Sequence, residues 1–427
     1  MMEVTEILSQ LIRIPSVNPP GGETKVALFL KSLFDQAGIS NEIIEPAPER
    51  GSFIATIGSG EKSLLFLSHA DVVPAAPRWD FDPFGGEVKG GVVYGRGALD
   101  CKGWVAAEAR AILELSRHHL NGKLIFAATA DEENGGAYGV KFLTENHPAK
   151  LRADFAINEG GEEPVTEGKQ CIGFIQSGEK GPVWTRLKFH GISSHGAIPT
   201  LGDNAVVKAS QAIVRLAQYR SEVKLTPGMK SLLDHLNKST PGKGITARNV
   251  DAFLDSYPDR TTAETIRSLT RMTVSPNEIH GGSRTNIVPD SCEIQVDIRV
   301  LPGQDKQYVL NILHSLLGEE VDIEIPALNP ASFSPTDSAH YRLIERVMKD
   351  SLGKIDCFPS MSAGATDSRF LRGIGIPCYG PGVAATDFDP ARRRTVHGKN
   401  ESTDIKSLNL KVDFLLKLAL SYLGEKP

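Results

Sequence analysis

Apolar positions along the chain change rhythm twice. Over about the first 175 residues, helical patterns alternate with the short apolar runs SLLFLSHA, KLIFAATAD and ADFAINEGG, the texture of a sheet with helices on both faces. After about Gly178, TRLKFHG, CEIQVDIRV and VDIEI alternate strictly between apolar and polar residues, which predicts strands buried on one face only. Two amphipathic helices accompany these strands: one over Asn204 to Tyr219, with Val206, Ala209, Ile213 and Leu216 inward, and one from about Lys306 to Leu317. The spacing therefore predicts a strand-helix-strand-strand-helix-strand unit. Between the two helices, residues 221–280 read as irregular helix broken by Pro and Gly, with no place in that scheme. From roughly residue 335 the first texture resumes, with a helix around His340 to Ser351, an apolar strand in GIPCYG and a closing helix through LKVDFLLKLALSYL. The expected fold class is α/β: a three-layer αβα domain with a mixed sheet, built from residues 1–178 and 329–427, interrupted by an inserted α+β (ferredoxin-like) domain over 179–328.

Composition narrows this picture only a little. A chain of 427 residues exceeds what one core usually organises, so two or three domains are expected. With 40% hydrophobic residues, 23% charged residues and a net charge of -5, it has the balance of an ordinary soluble globular protein, with no duplex-binding surface. The one dense basic run, Arg392-Arg393-Arg394, is short and reads as a solvated loop. Five cysteines without a CxxC pair point to reduced thiols in a cytosolic setting. Val4, Ile7, Leu8, Leu11 and Ile12 share one helical face instead of forming a continuous apolar signal, and no secretory or transmembrane segment is visible. A cytoplasmic location follows as an expectation, with no nucleic-acid or membrane partner.

The chemistry lies at the ends of the apolar runs. In a strand, positions i and i+2 point to the same side, so His69 and Asp71 project together from the end of SLLFL. Taken alone they form either a ligating imidazole with the acceptor that fixes its other ring nitrogen or a hydrogen-bonded strand-end turn. In YGRGALDCKGWVAAEARAILEL, Asp100 stands at the apex of a glycine-rich loop, where, taken alone, it reads first as a cap for the amphipathic helix that follows. KLIFAATAD runs into Glu132-Glu133, and ADFAI runs into Asn158-Glu159-Gly160-Gly161. Three apolar strands thus deliver acids to the carboxyl end of an α/β sheet, where such sheets bind ligands. Three converging carboxylates repel one another unless a cation sits among them, and two divalent ions would more than offset Asp100, Glu133 and Glu159. A set of imidazoles and carboxylates without thiolates suits zinc and also accepts cobalt or manganese. Glu132 and Glu133 are adjacent, so one of them is free for proton transfer.

At this point the chain resembles the dinuclear zinc amidohydrolases and exopeptidases, the family of aminoacylase, acetylornithine deacetylase, succinyl-diaminopimelate desuccinylase and glutamate carboxypeptidase. The resemblance spans nearly the whole length, through LIRIPSVNPPGGE, SHADVVP, GRGALDCKG, TADEENGG, INEGG and TVHGKNES. It implies that Asp100 bridges two metal ions, with His69 and Glu159 completing one site and Glu133 and His397 the other. Glu132 becomes the acid/base, and Asp71 the partner that orients His69. A non-proline cis peptide after Asp100 is also implied. The inserted domain matches the family's lid and dimerisation domain, in which His195 of GISSHGAIP takes the position of an oxyanion-stabilising histidine contributed across a homodimer. Asn286 and Arg299 look like ligands for a free substrate carboxylate, and Gly364 and Thr366 of SAGATDSRF look like substrate-loop contacts. Periodicity puts Arg299 on the polar face of its strand, opposite Cys292, Ile294, Val296 and Ile298.

The expected activity is hydrolysis of the amide bond of an N-acyl-amino acid, with two divalent ions as cofactors and a small carboxylate-bearing molecule as substrate. An exopeptidase of the same architecture is the alternative; within the family, glutamate at the position of Glu159 accompanies the acyl-amino-acid hydrolases more than the peptidases. A binding protein that kept the fold without catalysis is the remote alternative, and it would be expected to have lost a ligand or the base.

Overall fold

The structure is a computed structural model, and it describes residues 2–167, 170–237, 244–326 and 329–425. Residues 238–243 of the 221–280 insertion therefore lie outside the described residues. The chain divides into two compact units, one of residues 1–177, 334–360 and 366–427, the other of residues 178–333 and 361–365. Its architecture is mixed α/β with a large mixed sheet.

In the first unit the sheet runs in the order Asn41–Ile44, Ser52–Gly58, Lys123–Thr129, Ser63–His69, Phe155–Ile157, Cys378–Pro381. The four strands from Lys123–Thr129 to Cys378–Pro381 are mutually parallel, and Ser63–His69 lies between Lys123–Thr129 and Phe155–Ile157. Because side chains alternate across a strand, Leu64 and Phe66 enter one apolar cluster and Leu65 and Leu67 another. The first cluster is completed by the helices Val4–Ile12, Lys102–Leu115 and Ile405–Leu423, the second by Val140, Leu143, Leu151 and Leu371. Burial on both faces explains why these runs are apolar without alternation, each large side chain contributing roughly 1.5–3 kcal/mol. The helix Lys102–Leu115, expected to be amphipathic, is instead buried almost all round, with Lys102 and Glu108 fully covered. Both find internal partners: Lys102 Nζ donates to the carbonyls of Leu11 and Ile14, and Ser68 Oγ donates to Glu108 Oε2, while Glu108 Oε1 has no hydrogen-bond partner.

The second unit contains a four-stranded antiparallel sheet in the order Thr273–Gly281, Ser291–Val300, Gly181–His190, Asp322–Glu324. Helices Ala205–Gln218 and Lys306–Leu317 bury one face of it against Val183, Leu187, Ile294, Val296 and Ile298. The four sheet strands and these two helices follow one another in the chain as strand, helix, strand, strand, helix, strand, with further short elements between them. Residues 221–280 supply the helices Pro227–Leu236, Val250–Asp255 and Arg260–Leu269, then the edge strand Thr273–Gly281. That strand was hidden in the sequence by Pro276, which lies at a bulge in the pairing with the neighbouring strand. The basic run forms the short helix Pro390–Arg393, where Arg393 pairs with Glu162 and Glu163.

Candidate metal centre

Parallel pairing in the first unit brings the ends of three strands to one edge, with His69 directly opposite Thr129 in the ladder. His69 leaves the first strand, the turn Asp131-Glu132-Glu133 follows the second, and Asn158-Glu159 follows the third. Asp100 arrives from the loop before the helix Lys102–Leu115, and His397 from the segment before the short strand Ser402–Asp404.

The two oxygens of Asp100 face different imidazoles. Oδ1 is 3.0 Å from His69 Nε2, and Oδ2 is 2.9 Å from His397 Nε2. His69 Nε2 is also 3.5 Å from Glu159 Oε1, and His397 Nε2 is 3.2 Å from Glu133 Oε2. All five residues expected to share ions are therefore neighbours, in the grouping His69–Glu159 on one side of Asp100 and His397–Glu133 on the other. The Asp100–Cys101 peptide is cis. Asp100 is not a helix cap: the N-cap position belongs to Cys101, which makes no side-chain capping bond.

Asp71 has a larger job than orienting one ring. His69 Nδ1 lies 3.0 Å from the Asp71 carbonyl and 3.3 Å from Oδ1, so the main chain is the closer acceptor. The carboxylate also takes the N–H groups of Glu132 and Glu133, at 3.2 and 3.1 Å, and one N–H of Asn18 at 2.8 Å. One buried side chain thereby ties the His69 strand to the acidic turn. Asp131, whose φ of 70° lies in the left-handed region, starts that turn and is itself buried.

Several supporting residues carried no assignment from the sequence. Glu401, fully buried, accepts from the N–H groups of Gly97, Leu99 and Asp100 at 3.0, 2.8 and 3.0 Å and pairs with Arg96 at 2.6 Å. Asp367 is buried, accepts from Thr129 Oγ1 at 3.3 Å and leaves Oδ1 without a hydrogen-bond partner. The signal was present in part, since Asn18 and Glu401 both stand inside the quoted motifs LIRIPSVNPPGGE and TVHGKNES. Cys101 lies beside His69 and Glu159. Its Sγ donates to the His69 carbonyl, and burial pushes the thiol pKa well up, so it is a protonated neighbour.

Electrostatics single out the same place. Burial pushes Glu132 well above the usual carboxylate range and raises Glu159, while hydrogen bonds from His397 and His69 outweigh burial at Asp100 and hold it well below that range. Hydrogen bonding to Asp100 and Glu133 lifts His397 to about 10. Glu133 Oε1 is buried with no hydrogen-bond partner. Acids crowded around two imidazoles, with an orphaned carboxylate oxygen among them, fit divalent cations by donor type and by charge.

The remaining expected residues belong to the second unit, except Thr366. His195 lies in the short strand Ser194–His195, paired with Ile287–Val288, and the adjacent Gly196 N–H donates to the Asn286 carbonyl at 2.8 Å. Both His195 and Asn286 are exposed. Arg299 sits on the polar face of its strand, where Nε and Nη2 hold Asp297 at 2.8 and 3.1 Å. The Gly364 N–H donates to Ser362 Oγ. In the first unit, Thr366 Oγ1 accepts from the Ser368 N–H at 3.2 Å.

The model of peptidase family M20/M25/M40 matches residues 65–421. The chain belongs to this family. Among its M20/M25/M40 relatives, a "probable succinyl-diaminopimelate desuccinylase" of Staphylococcus aureus is 27% identical, the alignment covering 99% of this chain and 98% of that protein. The N-fatty-acyl-amino acid synthase/hydrolase of Homo sapiens is also 27% identical, over 97% of this chain and 86% of its own. An M20 family metallo-carboxypeptidase of Sulfolobus solfataricus shares the fold with a TM-score of 0.75 at 22% identity, covering 99% of both chains. A dinuclear metal-binding M20 peptidase of Bacillus subtilis superposes with a TM-score of 0.60 at 15% identity, over 99% of this chain and 98% of that one. The family places the protein among metal-binding hydrolases. No helix among the described residues is long and apolar enough to cross a membrane.

Proposed function

We propose that the protein hydrolyses the amide bond of an N-acyl-amino acid, releasing a carboxylic acid and the free amino acid. The observation that carries this reading is the division of Asp100 between two imidazoles, each with its own glutamate. His69, Asp100 and Glu159 would hold one divalent ion and Asp100, Glu133 and His397 a second, zinc by preference with cobalt or manganese acceptable. Bound there, the ions would supply Lewis acidity toward the acyl oxygen and toward the attacking water.

The rest of the work belongs to side chains. Glu133 faces His397, so the adjacent Glu132 is the carboxylate left to act as base. It takes a proton from water as the oxygen adds to the acyl carbon, and returns it to the nitrogen as the C–N bond breaks. Asp71 holds the N–H groups of both glutamates and so fixes where that base stands. His195 stabilises the oxyanion, contributed across a homodimer formed through residues 179–328, which serve as a lid and dimerisation domain of ferredoxin-like type. Asn286 and Arg299 receive the free carboxylate of the substrate, Arg299 by exchanging its grip on Asp297, with Gly364 and Thr366 lining the substrate loop. The expected location is cytoplasmic.

Acetyl- and succinyl-amino acids assayed beside dipeptides test the substrate class. Turnover of the acylated panel at least tenfold above the dipeptides supports the deacylase, and the reverse ratio establishes the exopeptidase. That second reading draws on the carboxypeptidase from Sulfolobus, whose fold covers 99% of this chain, and the first on the two curated relatives.

A further inference from the structure

Beneath the acidic turn lies a polar network that the proposed chemistry does not use. Arg50 is buried, and its Nη2 lies 2.9 Å from Glu23 Oε1 and 2.6 Å from Asp131 Oδ1. Its Nη1 donates to the Pro20 carbonyl at 2.9 Å, and its guanidinium lies over the Tyr138 ring at 5.1 Å. Asn18 Nδ2 donates to Asp131 Oδ1 and Asp71 Oδ2, at 3.0 and 2.8 Å. The Asp131 N–H donates to Glu23 Oε1, and the Tyr138 N–H donates to Asp131 Oδ2. Glu23, Asp71 and Asp131 are all buried, and among the described residues Arg50 is the cation that pairs with Glu23 and Asp131. The chain makes room for it: a Cβ on Gly21, whose φ is 109°, would meet the Arg50 side chain at 2.6 Å.

Removing a cation from this arrangement leaves buried acids uncompensated, and the element bonded to it directly is the turn that begins at the left-handed Asp131. The strand carrying His69 meets that ion pair at one remove, through Asn18 and Asp71, whereas the turn bearing Glu132 and Glu133 begins at Asp131 itself; among the described residues Glu159 shares no hydrogen bond with Arg50 or Asp131. We propose that Arg50 is a positioning residue for the turn bearing Glu132 and Glu133, so that its loss weakens the Glu133–His397 half of the ion nest and leaves the His69–Glu159 half intact. This rests on the dinuclear reading above.

The test is a cycle of zinc titrations on the full chain by calorimetry. Arg50→Met is introduced into two backgrounds, His397→Ala, which keeps the His69–Glu159 half, and Glu159→Ala, which keeps the Glu133–His397 half. The expected result is a 10- to 100-fold loss of zinc affinity in the Glu159→Ala background and less than a twofold change in the other, the size typical of outer-shell support. In the otherwise wild-type chain kcat falls by a similar factor with KM within about twofold, and Arg50→Lys recovers part of it. Equal weakening in both backgrounds, or none in either, overturns the proposal while leaving the dinuclear reading standing. A wild-type chain that binds no zinc overturns both. If Arg50→Met does not fold, Asp131→Asn cuts the same ion pair from its other end and is read by the same criteria.

Discussion

Two acidic clusters in this protein look alike as lists of residues and behave as opposites. In the second unit, Asp251, Asp255 and Glu264 surround Arg267 and Arg271, with Arg271 holding both oxygens of Asp251 at 2.7 and 3.2 Å. In the first, the ion-pair partners of Asp100, Glu133 and Glu159 among the described residues are the imidazoles of His69 and His397. Hydrogen bonding to Arg271 lowers the pKa of Asp251, whereas burial raises that of Glu159. Exposure differs as well, at 47% for the Asp251 side chain against 6% for Glu133. A cluster with its own guanidinium groups is complete; a buried one without them calls for cations from solution. Counting acids does not distinguish the two, and asking which permanent charges accompany them does.

The sharpest way to break this contrast is to strip divalent ions with a chelator. Activity on the acylated panel should vanish and return with zinc, cobalt or manganese, and a thermal scan should show a melting temperature that rises with ion concentration. Activity that survives exhaustive chelation, confirmed by elemental analysis, would remove the distinction altogether. Next in size is Glu132→Gln, which should cut kcat by roughly 10²-fold or more while ion content stays at the wild-type level. Retention of most activity would assign the base elsewhere. Asp71→Asn should lower ion affinity by about 10- to 100-fold, read by competition with a chromophoric chelator, because the orientation of His69 and of the Glu132–Glu133 turn depends on it. Arg267→Met probes the other cluster: a loss of about 1 kcal/mol by denaturant titration and unchanged ion content are expected, since the pairs are partly solvated. The last expectation concerns pH dependence. Burial raises Asp367 from 3.8 to about 7, so the folded chain binds a proton there that the unfolded chain releases. Its contribution is fully present below about pH 4 and is lost as pH climbs through 7, so the ion-free protein should lose stability over that interval. Asp367→Asn should flatten that part of the curve measured by urea midpoints.

Much of the candidate site was legible because strands buried on both faces leave an unbroken apolar record, and the residue at which that record stops is placed by the sheet. SLLFLSH, KLIFAAT and FAI became adjacent parallel strands, and the acids after them became neighbours. The inward face of Ser291–Val300 was equally readable from alternation. What escaped was whatever the pattern scores as exposed or irregular. Lys102 and Glu108 look like the wet side of a helix until the carbonyls that accept from the one and the hydroxyl that donates to the other are seen. Pro276 disguised an edge strand. Arg50 and Glu401 are single charged letters in loops, and their partners lie 81 and 301 positions away. No local rule connects such residues; only the closed fold does.

The clasp of Glu401 on the Asp100 loop has a consequence for biogenesis. A ribosome that has exposed the first three parallel strands, up to Phe155–Ile157, has still not made the residue that accepts the N–H groups of the Asp100 loop, nor His397. The proposed nest can therefore be complete only once translation has passed His397 and Glu401, shortly before the helix Ile405–Leu423 that closes the same core.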